Sequence, residues 1–170
     1  MKNIILVGMM SSGKTTVGKR LAARLGYQFI DLDQRIVALE GMEISDLFKT
    51  KGEAYFREVE LRALLELKPE AGLVVATGGG TPCFFDNMTT IKSLGISVFL
   101  NIPAEVLAKR IEKHAKDDRP ILSGAVSLLG TLEAKIRERS PFYAMADYTL
   151  EGEQPVDELV ARIEKVLSQA

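Results

Sequence analysis

The chain has 170 residues, 46% hydrophobic and 26% charged, with a formal net charge of -1. That size suits one domain, residues 1–170, burying roughly two-thirds of its unfolded surface, and the balanced charge excludes strong attraction to nucleic acid or acidic membranes. The single cysteine, Cys83, excludes an internal disulfide; it suits a reducing cytosol and reads as a small buried residue rather than a nucleophile.

Met1-Lys2-Asn3 opens straight into Ile4-Ile5-Leu6-Val7, an apolar run that predicts a buried strand and leaves no room for a signal peptide. No apolar run approaches membrane-spanning length. A cytoplasmic location is therefore expected. Next comes Gly8-Met9-Met10-Ser11-Ser12-Gly13-Lys14-Thr15, which fits the phosphate-binding pattern GxxxxGK[ST]. Beyond it Val17, Leu21, Ala22 and Leu25 repeat at helical spacing, so the loop has both the strand and the helix that its chemistry requires. Backbone N–H groups of such a loop point at the phosphates, and the start of the helix adds partial positive charge. Ser11, Ser12, Gly13, Lys14, Thr15 and Thr16 are thus candidate triphosphate contacts. Lys14 would reach the β- and γ-phosphates and the Thr15 hydroxyl would sit on Mg²⁺. The plainer alternative is a glycine-containing turn followed by a helix with an exposed lysine.

A second strand is predicted at Tyr27 to Ile30 and leads into Asp31-Leu32-Asp33. At the carboxyl end of a strand beside the phosphate loop, Asp31 could face the metal shell and Asp33 could reach a substrate hydroxyl. A carboxylate there would orient the acceptor and take its proton as the O–P bond forms. Asp33 could instead cap the helix beginning near Gln34. Helical patterns continue through Ile36-Val37-Leu39, from Ile44 to Phe48, and from Glu53 to Leu67, where Phe56, Val59, Leu64 and Leu67 form an apolar stripe. Arg57 pairs by spacing with Glu53 and Glu60, an arrangement that usually decorates a helix surface.

The third strand, Leu73 to Ala76, ends in Thr77 and Gly78-Gly79-Gly80, where an open α/β sheet binds ligands and glycine lets the backbone approach a small molecule closely. A helix is predicted from Phe84 towards Leu94, a strand at Ile96 to Leu100 and a helix from Ala104 to Ile111. The polar stretch from His114 to Pro120 then breaks the rhythm, and Pro120 pushes Arg119 away from helical backbone. It is either a cation-bearing lid or a solvated loop; His114 reads as a surface residue. Another helix is predicted around Leu128 to Ile136, and Arg139 follows at a segment that could be a solvated helix end. A weak strand at Tyr148 to Leu150 precedes a last helix behind Pro155. The alternation predicts an α/β fold with a mainly parallel sheet.

The remaining residues choose among nucleotide-binding classes. Asn3, Asn87 and Asn101 are followed by isoleucine, methionine and isoleucine, so the Asn-Lys-x-Asp element of guanine-specific switches is missing. The runs ending at Ala76 and Leu100 lead to Thr77 and Asn101, so neither supplies the strand-end acid of an ATP motor. If Arg57 and Arg139 converge near Asp33 and the glycines, the pocket would suit a carboxylate-bearing alcohol, because arginine pairs bidentately with carboxylates.

Gly8 to Gly18, Asp31-Leu32-Asp33, Gly52-Glu53-x-x-Phe56-Arg57-x-x-Glu60, Gly78-Gly79-Gly80, Arg119-Pro120 and Arg139-Ser140-Pro141-Phe142-Tyr143 occur together in the order and approximate spacing of shikimate kinases. The chain resembles that family from its first strand to its last helix. The resemblance implies a P-loop NTPase fold, similar to nucleoside monophosphate kinases, with a five-stranded parallel sheet of order 2-3-1-4-5. It implies transfer of the ATP γ-phosphoryl group to the 3-hydroxyl of shikimate, with Mg²⁺ as cofactor, on the route to chorismate. By motif, Asp33 contacts the acceptor hydroxyl, Arg57 and Arg139 hold the shikimate carboxylate, and Gly79 and Gly80 line the ring. Lys14 and Arg119 stabilise the transferring phosphoryl, Thr15 ligates Mg²⁺, and Asp31 acts on it through water. Arg110, Gln154 and Pro155 correspond loosely to the residues that enclose adenine. A lid over about 113–125 and acceptor-binding helices over about 33–62 are expected, in a monomer whose partners are shikimate and ATP rather than nucleic acid or membrane. Two departures stand out: Ser11 occupies a position commonly glycine, implying a small change in loop stiffness, and Thr81 to Asp86 is unusually aromatic, which blurs the next helix start. The readings that compete are a kinase for another small hydroxy acid, such as gluconate, and a nucleotide-dependent binding module that lost transfer.

Overall fold

The computed structural model describes residues 1–115 and 127–169. Five parallel strands form one sheet in the order β2-β3-β1-β4-β5. They are β1 (Asn3–Val7), β2 (Gln28–Asp31), β3 (Leu73–Ala76), β4 (Gly95–Asn101) and β5 (Tyr148–Glu151). The order follows the expected one, and its physical basis lies in β1. This strand is flanked on both sides, with Ile4 opposite Val74 of β3 and Ile96 of β4, and all five of its residues are buried. A strand covered on both faces reads as an unbroken apolar run rather than an alternating one.

Helices cover the two faces. Successive strand side chains point to opposite sides, so Ile5, Val7 and Val75 join one core with helices α2 (Leu32–Glu40), α3 (Ile44–Leu65) and α4 (Asn87–Leu94). Ile4, Leu6, Val74 and Val98 join the other with α1 (Lys14–Leu25) and α7 (Val156–Leu167). A third cluster at the carboxyl end of the sheet links Met9 of the phosphate loop to Leu107 of α5 (Ala104–Ala115) and to Leu132 and Tyr143 of α6 (Leu128–Tyr143).

The helices differ from the sequence expectation in three places. The two helices expected over 44–48 and 53–67 meet in α3 at a kink, because Gly52 takes φ 83 and ψ 169, backbone that residues with a side chain scarcely populate. The helix expected from Phe84 starts only at Asn87: a 3₁₀ turn covers Thr81–Cys83, and Phe85 and Asp86 take left-handed φ values of 50 and 56, which reset the chain direction first. The helix expected to fade at Ile136 runs on to Tyr143 through Pro141. Proline there removes the hydrogen bond to the carbonyl four residues back, and the helix ends two residues later at Tyr143.

Because the strands are parallel, their carboxyl ends share one edge. The phosphate loop after β1, Asp31 at the end of β2 and the Thr77–Gly80 turn after β3 therefore lie side by side. Most of the lid expected over 113–125 lies outside the described residues. Among the described residues no helix is long and apolar enough to cross a membrane.

Candidate active site

A cavity of about 590 Å³ opens along this edge, lined by Ser11 to Thr16, Asp31, Asp33 and Thr77 to Gly79. Lys14 begins α1, and its side chain turns back into the loop, where Nζ donates to the carbonyls of Gly8 (2.8 Å) and Met9 (2.7 Å). Removal from water lowers its pKa to about 8, against opposing pulls from Asp33 and Asp31. The ammonium group is thus held at the helix start, where the orphan N–H groups of the first turn also favour an anion.

The two aspartates divide the work by position. Asp31, not Asp33, caps α2: its Oδ1 accepts from the amides of Asp33 (3.1 Å) and Gln34 (3.2 Å). Its Oδ2 accepts from Thr15 Oγ1 at 2.9 Å. Since Asp31 meets the cap requirement, Asp33 is left to face the cavity. Burial raises the pKa of Asp33 to about 6, with Glu60 and Asp31 adding to the effect and Lys14 and Arg57 opposing it. A carboxylate tuned into that range is a far better proton acceptor than one at its ordinary 3.8.

Beyond Asp33 the glycine turn is wedged between charged side chains. A Cβ built on Gly78 would stand 2.9 Å from Asp33 Oδ1, one on Gly79 3.0 Å from Arg139 Nη1, and one on Gly80 2.7 Å from both terminal nitrogens of Arg57. Arg57 and Arg139 therefore do converge on the turn beside Asp33, which spacing alone could not establish. Arg57 also keeps its helical partners, with Nη1 on Glu60 Oε1 at 2.9 Å and Nη2 on Glu53 Oε1 at 3.3 Å. Glu60 is no surface decoration: it is 1% exposed and its Oε2 accepts from Thr81 Oγ1 at 2.6 Å. A buried carboxylate pairing an arginine on one oxygen and a hydroxyl on the other fixes the guanidinium in place. Its signal in the sequence is an acid within the stripe of Phe56, Val59, Ala63 and Leu64. The Arg57 guanidinium also lies 4.1 Å from the Phe84 ring centroid, so the aromatic stretch after the glycines helps to hold that guanidinium.

The far end of the cavity is lined by Arg110, Lys113, His114, Gln154 and Val156. Arg110 donates to the Ser11 carbonyl at 3.0 Å and pairs with Glu153 at 3.4 Å. Pro155 does not line the cavity; it precedes α7, and its neighbours Gln154 and Val156 line the cavity instead. His114, expected as a plain surface residue, is exposed yet borders the cavity. Arg119 lies outside the described residues. Cys83 is half-buried rather than buried, and burial raises its thiol to about 11, against a reactive role.

Comparison with known proteins points the same way. Residues 10–168 match the family model described as shikimate kinase. The shikimate kinase of Parabacteroides distasonis is 41% identical over 160 residues, covering 93% of this chain and 92% of that protein. That of Bacteroides fragilis is 40% identical over 175 residues, covering 99% and 97%. Among solved structures, the shikimate kinase of Acinetobacter baumannii in complex with shikimate superposes with a TM-score of 0.88 at 36% identity, covering 99% of this chain and 94% of that one. The Bacteroides thetaiotaomicron enzyme gives 0.85 at 38%, covering 98% of each. With a phosphate loop facing an acid and two arginines across a glycine turn, and with these relatives matched over nearly its whole length, the chain belongs to the shikimate kinase family.

Proposed function

We propose that this chain performs the reaction of its family, ATP-dependent phosphorylation of the shikimate 3-hydroxyl to shikimate 3-phosphate, through Lys14, Asp33, Arg57 and Arg139. The observation that carries the assignment of residues is the placing of Asp33 between the buried Lys14 and a glycine turn braced by two guanidinium groups. Arg57 and Arg139 pair with the acceptor carboxylate, and Gly79 and Gly80 leave room for its ring. This orients the 3-hydroxyl towards Asp33. Asp33 accepts the hydroxyl proton as the new O–P bond forms and the bond from the γ-phosphorus to the bridging oxygen breaks, leaving ADP. Lys14 stabilises charge on the transferring phosphoryl, so positioning and electrostatics supply most of the rate. Arg119 is assigned to the same charge on the sequence resemblance alone.

The donor set suits Mg²⁺. A hydroxyl and a carboxylate, Thr15 and Asp31, lie 2.9 Å apart in the cavity, and the described residues hold no group of three His, Cys, Asp or Glu that could cage a metal unaided. Mg²⁺ is ordinarily held by one or two such oxygens together with waters and substrate phosphates. Thr15 would ligate it directly and Asp31 through water, and when bound it neutralises charge on the β- and γ-phosphate oxygens. Arg110, Gln154 and Val156 would border the adenine. The helices α2 and α3 act as the acceptor-binding segment, and the chain works as a cytoplasmic monomer.

The test is ADP formation by the purified protein with Mg²⁺ and ATP, with and without shikimate. Shikimate is expected to stimulate ADP release strongly; stimulation only by gluconate or another hydroxy acid would overturn the substrate assignment. Arg57→Ala and Arg139→Ala should each raise the KM for shikimate by at least tenfold while changing that for ATP by less than threefold, on the order expected for loss of a charge-assisted pair. Equal weakening of both substrates would remove the carboxylate clamp.

A further inference from the structure

Gly79 stands where three parts of the molecule meet. The Cβ position on it is 3.0 Å from Arg139 Nη1, 3.3 Å from the amide nitrogen of Met10 in the phosphate loop, and 3.6 Å from the Gly8 carbonyl. Its own carbonyl accepts a hydrogen bond from the Tyr143 hydroxyl, which also lies 3.6 Å from Met9 Sδ. Tyr143 is 1% exposed, and its ring packs on Phe99 of β4 with centroids 4.9 Å apart, so the hydroxyl has little freedom to point elsewhere. Burial also raises its pKa to about 12, which keeps it a donor throughout the working range. Arg139 and Tyr143 are one helical turn apart on α6, so a single element presents both a cation beside Gly79 and a hydroxyl on its carbonyl.

The peptide joining Gly79 to Gly80 is planar and trans, so its C=O and N–H point in opposite directions. A donor that pins the carbonyl therefore also sets where the N–H points. Among the described residues, neither the Gly79 nor the Gly80 amide is donated to a backbone carbonyl. A buried amide without a protein acceptor is available to a ligand oxygen.

We infer that Tyr143 is a positioning residue for phosphoryl transfer: by holding the Gly79 carbonyl and resting against Met9, it orients the Gly80 N–H for the acceptor and fixes the acceptor turn to the phosphate loop. It does not touch the reacting atoms. Its effect is carried through the turn, so it bears on the acceptor far more than on the nucleotide. The inference rests on the acceptor site proposed above.

Tyr143→Phe keeps the ring and its packing on Phe99 and removes only the hydroxyl. We expect kcat/KM for shikimate to fall about tenfold, with the ADP dissociation constant and the KM for ATP within twofold of the parent. In the ligand-free protein, amide hydrogen exchange of the segment 78–83 should quicken about tenfold, while that of β1 stays unchanged. Unchanged acceptor kinetics with unchanged exchange would overturn the inference. So would an equal loss for both substrates, which is the mark of a merely structural role. If the parent protein shows no shikimate-dependent ADP formation, the proposed function fails; the exchange measurement then decides separately whether Tyr143 holds the turn, and unchanged exchange overturns that too.

Discussion

Asp33 and Lys14 are both held away from their ordinary titration ranges, in opposite directions on the pH scale and each towards its neutral form, because burial penalises charge of either sign. Burial puts Asp33 at about 6 and Lys14 at about 8, so between those values the free protein carries the carboxylate and the ammonium that the proposed mechanism requires. The profile of kcat/KM against pH is expected to be bell-shaped, with limbs near 6 and 8; an acid limb near 4 would show that Asp33 is not the group titrating. Because the folded pKa of Asp33 lies above its unfolded 3.8, its contribution to stability is full below about pH 4 and is lost as pH rises through 6. Ionised Asp33 is thus a cost at neutral pH. Asp33→Asn should reduce turnover by about 10²–10⁴-fold with ATP binding retained. It should also stabilise the fold at pH 7 by roughly 1–3 kcal/mol, read from denaturant midpoints. Loss of both activity and stability would mean that Asp33 is chiefly a structural residue. Ser11 shows a milder form of the same tension between local preference and function. Its φ of 61 is left-handed, which explains physically why glycine is common at that place in the family, and the serine loop stores the small strain that glycine would lack.

At the scale of elements, the kink in α3 decides where Arg57 stands. Gly52 lets the chain leave one helical direction and resume in another, so that Phe56 enters the core while Arg57 meets the glycine turn. Gly52→Ala should cost about 1–3 kcal/mol in stability, and it should raise the KM for shikimate more than that for ATP, because Arg57, one of the two cations proposed to hold the acceptor, rides on the second half of the helix. Steady-state kinetics with each substrate varied separately would check this; a stability loss with both KM values intact would show that Arg57 does not depend on the kink. The resemblance already placed Gly52 and Arg57 in one motif. What periodicity did not show was that Glu60 is buried, since the spacing of Arg57 and Glu60 is the same on a solvated helix as on one pressed against a sheet edge. Likewise the segment after Ile136 could be read as a solvated helix end, whereas the helix carries Arg139 and Tyr143 on one face to its last turn.

For the molecule as a whole, the amino end of the sheet is secured by a residue with no catalytic motif. Asn3 is 1% exposed; its Nδ2 donates to the carbonyls of Lys68 (2.8 Å) and Leu94 (3.0 Å), and its Oδ1 accepts from the amides of Ala71 (3.1 Å) and Leu73 (3.0 Å). One side chain thereby satisfies the loops entering β3 and β4, which flank β1. Asn3→Ala should cost about 3 kcal/mol or more, since it leaves several buried backbone groups unpaired, and should lower the thermal midpoint without altering either KM at a temperature where the variant is folded. A midpoint within a degree of the parent would show that water replaces the amide. The amino acid sequence by itself determined the mainly parallel α/β sheet, the phosphate loop and the candidate acids and cations, because apolar runs, glycine spacing and a GxxxxGK[ST] pattern are local properties of the chain, while the strand order to be expected came from the family resemblance. Only the tertiary structure decided that Asp31 rather than Asp33 caps α2, that Glu60 is buried beneath Arg57, and that Tyr143 reaches across to Gly79. The cap is a local choice between two neighbouring acids that a sequence pattern leaves open, while the other two depend on which groups distant in sequence displace water from one another, which is settled by packing at the carboxyl edge of the sheet.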